Sequence, residues 1–170
     1  MLTALAHRGF YQIGFTHVVY GKPTSDLSPQ DDILVEQVAP ADINRWSDVY
    51  MDSRQVPKEA RSNFLESHSI LFAGPRWRLY LAFINSQPAA AGLMYLGKEG
   101  GSLAGAATLP NWRRRGCQSA ILNRRISDAA EANYDLITSQ PGPLASRRNM
   151  ERQGMRLAYT KARWEQLRHE

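Results

Sequence analysis

The chain is 170 residues long, 43% hydrophobic and 22% charged, which is an ordinary globular composition with room for one buried core. No apolar run reaches the roughly 18 residues of a membrane helix. The opening Met-Leu-Thr-Ala-Leu-Ala-His-Arg lacks a signal peptide's charged start and long apolar stretch, and a single cysteine, Cys117, excludes an internal disulfide and a cysteine-based zinc cluster. Cytoplasm is the default location. The formal charge of +5 is unevenly placed: residues 113–170 carry 12 Lys/Arg against 6 Asp/Glu, and residues 1–112 carry 9 against 10. Such a basic half suits a nucleic acid or a nucleotide with several phosphates.

In chain order, residues 2–8 read as the end of a helix, Gly9 as its C-cap and residues 10–20 as a strand. The run Leu5-Ala6-His7-Arg8-Gly9-Phe10, followed by Phe15-Thr16, echoes Met150-Glu151-Arg152-Gln153-Gly154-Met155, followed by Tyr159-Thr160. Residues 1–23 thus read as a remnant of an upstream copy of the same fold, or as a chance likeness of two helix-turn-strand units. Phe10, Ile13, Phe15, Val18 and Val19 are too apolar to stand in water. The strand is therefore expected to dock on a second subunit, forming a homodimer through residues 10–20, or on the domain's own sheet edge. Residues 24–32 have the composition of a linker, and a domain over residues 33–170 follows.

Within it, residues 33–38 form the first strand, and Pro40-Ala41-Asp42 opens a helix that buries Ile43, Trp46 and Tyr50. Pro57 starts a second helix with Ala60, Phe64, His68 and Leu71 on one side. Residues 76–84 alternate, with Trp77, Leu79, Leu81 and Phe83 on one face; residues 85–88 turn, and residues 89–96 return. After a second turn, residues 103–109 make a strand of small residues, stopped by Pro110. Residues 118–133 are a helix, 134–139 a strand, 144–153 a helix and 156–164 a final strand. The class is mixed α/β, antiparallel first, with one parallel pair flanking the helix after Gly116.

Leu-Ala-Gly-Ala-Ala-Thr-Leu-Pro-Asn-Trp-Arg-Arg-Arg-Gly-Cys-Gln-Ser, residues 103–119, combines a lean strand, an arginine-glycine turn and a helix N-terminus. The first N–H groups of a helix point outward and carry about half a positive charge. Glycine lets the backbone close on a ligand, and guanidinium groups add charge-assisted bonds to phosphate oxygens.

This segment resembles the acetyl-CoA diphosphate signature of the GCN5-related N-acetyltransferases, R/Q-x-x-G-x-G/A, filled here by Arg113, Gly116 and Gln118; Gln118 stands where the family has a small residue. Ser146-Arg147-Arg148-Asn149-Met150-Glu151-Arg152-Gln153-Gly154-Met155 resembles the family's later helix and turn. The likeness covers roughly residues 33–164. It implies a central, mostly antiparallel twisted sheet flanked by helices, with the cofactor in a V-shaped gap between two central strands. It also implies acyl transfer from acetyl-CoA to an amine by direct attack, with no metal. On that likeness, Ala106, Ala107 and Thr108 guide the pantetheine arm. Arg113, Arg114, Arg115, Gly116, Cys117, Gln118 and Ser119 hold the diphosphate, and Asn149 and Arg152 reach the cofactor from the later helix. A strand N–H facing the thioester oxygen is a donor of the kind worth roughly 2.7–4 kcal/mol.

Proton handling is less legible. The family's tyrosine acid falls on Met150, and Tyr159 is the nearest substitute; Glu66 and His68 stand where the family often has its base, with a water chain as the alternative. Helices in that region wall the acceptor site, and nothing in them names the amine. Residues 92–99 almost spell a phosphate-binding P-loop, but Glu99 replaces the Ser/Thr and the segment reads as strand and hairpin. Cys117 follows a glycine at a helix start, where a thiol pKa could fall, though direct acyl transfer needs only its backbone. The four histidines have no metal spacing. Two rivals stay open: a CoA-binding domain without catalysis, and a nucleic-acid-binding domain using Arg113–Arg115 with Arg147 and Arg148, for which Trp112 is the one nearby aromatic.

Overall fold

A computed structural model describes residues 2–27, 30, 32–64, 66, 74–142 and 144–166. The elements in chain order are α1 (Leu2–His7), β1 (Phe10–Gly21), β2 (Leu34–Val38), α2 (Ile43–Ser53), β3 (Trp77–Ile84), β4 (Gln87–Leu96), β5 (Gly101–Thr108), α3 (Cys117–Glu131), β6 (Ile137–Ser139), α4 (Leu144–Arg152) and β7 (Arg156–Gln166). The class is mixed α+β, as the sequence led us to expect. The chain divides into two compact units, Gly21–Thr138 and Met1–Tyr20 with Ser139–Glu170.

In the Gly21–Thr138 unit, β2, β3, β4 and β5 form an antiparallel meander. Asn85 and Ser86 both have positive φ, 49° and 60°, as the tight two-residue hairpin between β3 and β4 requires. The ladder shifts register between Ala82 and Phe83, opposite Pro88, where proline has no N–H to give. β6 lies beside β5, with α3 as the connection. Its strand is shorter than residues 134–139, because Asn133 turns left-handed (φ 59°) and Tyr134 donates its hydroxyl to the Gly97 carbonyl at 2.8 Å.

Alternation in β3 sorts its side chains between two helices. Leu79, Leu81 and Phe83 pack with Trp46, Val49 and Tyr50 of α2. Ala82 and Ile84 pack with Cys117 and Ile121 of α3. The sequence pattern showed only the first face, because Tyr80 and Ala82 do not read as apolar alternation. Tyr80 is fully buried and donates its hydroxyl to Asp128 Oδ2 at 2.8 Å. Arg124 Nε reaches the other carboxylate oxygen at 2.7 Å, and Arg78 Nη1 lies 3.8 Å from Oδ2. Burial first, then the Asp128 charge, pushes the Tyr80 phenol well above its ordinary pKa.

Asp128→Asn keeps an acceptor for Tyr80 but leaves the two guanidinium groups without their countercharge. Since Arg124 is 43% exposed, water absorbs part of the loss. The expected cost is about 1–3 kcal/mol, read as a lower denaturation midpoint with an unchanged slope.

In the other unit, β1 pairs antiparallel with β7 from Phe10↔Gln166 to Tyr20↔Arg156. Gly9 (φ 74°) ends α1, and Gly154 (φ 80°) follows α4, where Met155 N donates to Met150 O at 3.1 Å. Of the second helix expected after Pro57, the described part is a short 3-10 turn, Lys58–Ala60, continued by helical residues 61–64. His68 and Leu71 lie outside the described residues.

Candidate functional site

The site in the Gly21–Thr138 unit starts with an irregularity in β5. Gly92 faces Ala106 and Met94 faces Leu103, so Ala104 and Gly105 together oppose Leu93 in a bulge. A Cβ on Gly105 would run into the Tyr50 hydroxyl and lie 3.0 Å from Leu93 Cδ2. Tyr50 has little freedom to retreat. It stacks on Trp46 (centroids 4.7 Å apart, planes at 15°) and on Phe64 (6.0 Å), with the Arg54 guanidinium 4.8 Å from its ring centre. Trp46 is itself anchored by a 3.0 Å bond from its indole N–H to Gly92 O.

A bulge takes carbonyls out of the ladder, and Arg125 of α3 collects them. Its Nη1 donates to Leu93 O at 2.9 Å and to Gly105 O at 3.4 Å, while Nε donates to Ile121 O at 3.3 Å. The side chain is fully buried, and no carboxylate pairs with it among the described residues. Desolvation lowers its pKa to about 10, still charged at neutral pH. A buried cation held only by main-chain oxygens therefore sits beneath the strand, next to Ala106. Ala106, Ala107 and Thr108 beyond it are half-buried and pair with Gly92, Ala91 and Ala90.

The chain then turns through a 3-10 segment, Pro110–Trp112. Arg113, Arg114 and Arg115 are all exposed. Arg113 donates from Nε to Thr108 O and from Nη2 to Ser53 O, both at 3.3 Å, so its guanidinium ties the end of β5 to the end of α2. Arg115 lies over Trp112, 5.0 Å from the ring centre. Arg114 takes a left-handed φ of 64°, an uncommon conformation for a side chain of that size. Gly116 (φ 88°, ψ −10°) is the N-cap of α3, so no side chain caps the helix. The first ladder bond is Ala120 N to Gly116 O at 3.0 Å. The backbone of Cys117, Gln118 and Ser119 thus forms the turn whose N–H groups precede the helix's own bonding. Gln30, from the stretch read as a linker, places its Oε1 where a Gly116 Cβ would be.

The Cys117 side chain does not take the lowered thiol pKa that a helix start can give. Its thiol is buried, 3.8 Å from Trp112 O, and burial raises its pKa rather than lowering it, outweighing the nearby Arg115 charge. It is a core residue of α3.

Asn149, Arg152 and Tyr159 belong to the other compact unit. Asn149 is buried, Arg152 is exposed, and Tyr159 on β7 is 54% exposed with Lys161 Nζ 5.8 Å from its ring centre. Met150, at the family's tyrosine position, is buried. Glu66 is exposed; His68 lies outside the described residues. Among the described residues no group of three or more His, Cys, Asp or Glu could hold a metal, and no helix is long and apolar enough to cross a membrane.

Sequence reading missed Arg125 and Gln30 and took Tyr50 as plain core. A signal for Arg125 existed: Ile121, Arg125 and Asp128 recur at i, i+4 and i+7, putting two charges on an inward face. Gln30 and Tyr50 gave none, because their neighbours are distant in sequence.

No protein-family model and no curated protein matches this sequence. Solved structures do match in fold. A GCN5-related N-acetyltransferase from Sphaerobacter thermophilus aligns with 95% of this chain and 54% of its own, at 15% identity and TM-score 0.75. One from Kribbella flavida aligns with 95% of this chain and 62% of its own, at 17% identity and TM-score 0.70. A predicted acetyltransferase with acetyl-CoA from Clostridium acetobutylicum aligns with 72% of this chain and 88% of its own, at 16% identity and TM-score 0.57. The chain therefore spans between about half and two thirds of the first two structures' length.

Proposed function

We propose, from the fold that this chain shares with the GCN5-related N-acetyltransferases, that it is a cytoplasmic acyl-CoA-dependent N-acyltransferase acting on an amine. The observation that carries the reading is the turn from Arg113 to Ser119. Its exposed guanidinium groups and its glycine-capped helix start follow a strand without bulk, the donor set a diphosphate needs.

Acetyl-CoA, when bound, supplies an activated thioester to the amine. The backbone of Gly116 to Ser119 and the guanidinium groups of Arg114 and Arg115 hold its diphosphate. Arg113 fixes the approach by joining Thr108 and Ser53. Ala106 to Thr108 keep the strand surface open for the pantetheine arm and supply N–H donors for charge that develops on oxygen. Arg125 keeps the bulge from collapsing and adds an uncompensated positive charge beneath that strand. On the family resemblance alone, Asn149 and Arg152 are assigned to the cofactor as well. For the amine proton the candidates are Glu66, which is exposed, and His68; for the acid, Tyr159 is the nearest substitute in sequence for the family's tyrosine.

One observation favours a second reading, binding without catalysis: Met150 is buried and cannot donate a proton. Calorimetric titration with acetyl-CoA, followed by a thiol-release assay against a panel of amino acids, polyamines, amino sugars and peptide N-termini, separates the two. We expect saturable binding that free CoA competes for, and thiol release with at least one amine. Binding without release across the panel would establish the second reading; no binding would end both.

A further inference from the structure

Each compact unit has its own charge. Residues 21–138 hold 13 Lys/Arg against 13 Asp/Glu, whereas residues 1–20 and 139–170 hold 8 against 3. The whole net charge of the chain therefore resides in the second of these. That unit also holds most of the large hydrophobic residues that are exposed among the described ones. Of the nine large hydrophobic residues exposed among the described ones, six are on its two paired strands: Tyr11, Ile13, Phe15 and Tyr20 on β1, Leu157 and Tyr159 on β7.

β7 is open in a second sense. It pairs with β1 on one side and ends the strand order, so its other edge has no strand among the described residues. Ten of its 11 residues are exposed. An edge of this length presents a row of main-chain donors and acceptors to any extended chain. Its charged side chains are Arg156, Lys161, Arg163 and Glu165. β1 contributes only His17, whose Nδ1 lies 3.1 Å from Thr160 Oγ1.

We infer that β7 is a docking strip for an extended acidic segment of another protein, taken up as an added strand. Main-chain pairing would supply affinity and alternate side chains the selectivity: apolar residues against Leu157 and Tyr159, carboxylates against Lys161 and Arg163. A second copy of this chain is a poor occupant. Bringing two units together, each with an excess of five positive charges, opposes the contact, and edge cations are a known means of preventing self-pairing. A single-stranded nucleic acid would answer to charge and aromatics but makes no use of the strand edge.

The test uses the full chain and a fluorescent peptide of alternating glutamate and valine, followed by anisotropy. Controls are the same peptide with lysine for glutamate, the same peptide with proline at alternate positions, and oligothymidine. We expect the glutamate peptide alone to bind, with affinity falling at least tenfold in the Lys161→Glu, Arg163→Glu double variant. Circular dichroism checks that this variant is folded, and Tyr159→Ala, expected to weaken binding several-fold, provides a second probe should it not be. Binding of the proline peptide as tightly as its parent would remove the added strand. Preference for oligothymidine would transfer the surface to nucleic acid, and concentration-dependent dimerisation in sedimentation that the double variant abolishes would assign it to a second copy. Failure of every probe would also overturn the inference. None of these outcomes depends on acetyl-CoA.

Discussion

Gly116→Glu is expected to weaken acetyl-CoA binding at least tenfold. Three effects converge at this residue. Its φ of 88° is left-handed, which costs an L-residue roughly 1–2 kcal/mol. Any Cβ there meets Gln30 Oε1, so that side chain must move aside. The new carboxylate also faces the helix start that is proposed to receive the diphosphate. Two like charges about 4 Å apart near a surface repel by roughly 4 kcal/mol, more than the strain. Gly116→Ala shares the backbone penalty and the Cβ without the charge, so the difference between the two variants isolates the electrostatic part. Calorimetric titration of wild type and both variants, with thermal melts to confirm folding, makes the measurement. If the glutamate variant binds as the wild type does, the diphosphate is not held at this turn.

Gly105→Ala is expected to destabilise the protein by about 1–3 kcal/mol, the usual cost of overfilling a packed interior, and to slow the proposed acyl transfer, because the bulge sets the direction of Ala106 to Thr108. The obstacle is identifiable. The added methyl meets the Tyr50 hydroxyl, and Tyr50 is clamped between Trp46 and Phe64. Tyr50→Phe removes the oxygen, leaving the ring carbon and Leu93 Cδ2 at 3.0 Å. The double variant should therefore recover part of the stability that Gly105→Ala loses, giving a coupling free energy of about 0.5–3 kcal/mol in a denaturation cycle. Strictly additive losses would mean that the bulge yields instead of the tyrosine.

Much of the fold was legible because its signals are local. Proline placed the breaks at Pro40 and Pro110, turn-forming residues placed the Asn85-Ser86 hairpin, and alternation placed β3 with Leu79, Leu81 and Phe83 on one face. Small residues located β5, and the Arg113–Gly116 run located the turn before α3. Each of these depends on neighbours within about ten residues, which is the range over which backbone sterics and hydrophobic period act. β1 was also expected as a strand, but the sequence left its partner open. Ladder pairing with β7 joins residues more than 130 positions apart, from Tyr20↔Arg156 to Phe10↔Gln166.

By itself, the sequence determined the element order, the lean strand, the glycine at the helix start and the family resemblance these carry. Only the tertiary structure decided that Arg113 spends its guanidinium on Thr108 and Ser53 carbonyls, that Cys117 is buried, and that Arg125 lies beneath a bulge on main-chain carbonyls, with no carboxylate partner among the described residues. Spacing along the chain assigns a side chain to a face but not to the atoms it meets there. A guanidinium beneath Gly105 and a thiol in the core acquire their electrostatics from desolvation by residues far away in sequence.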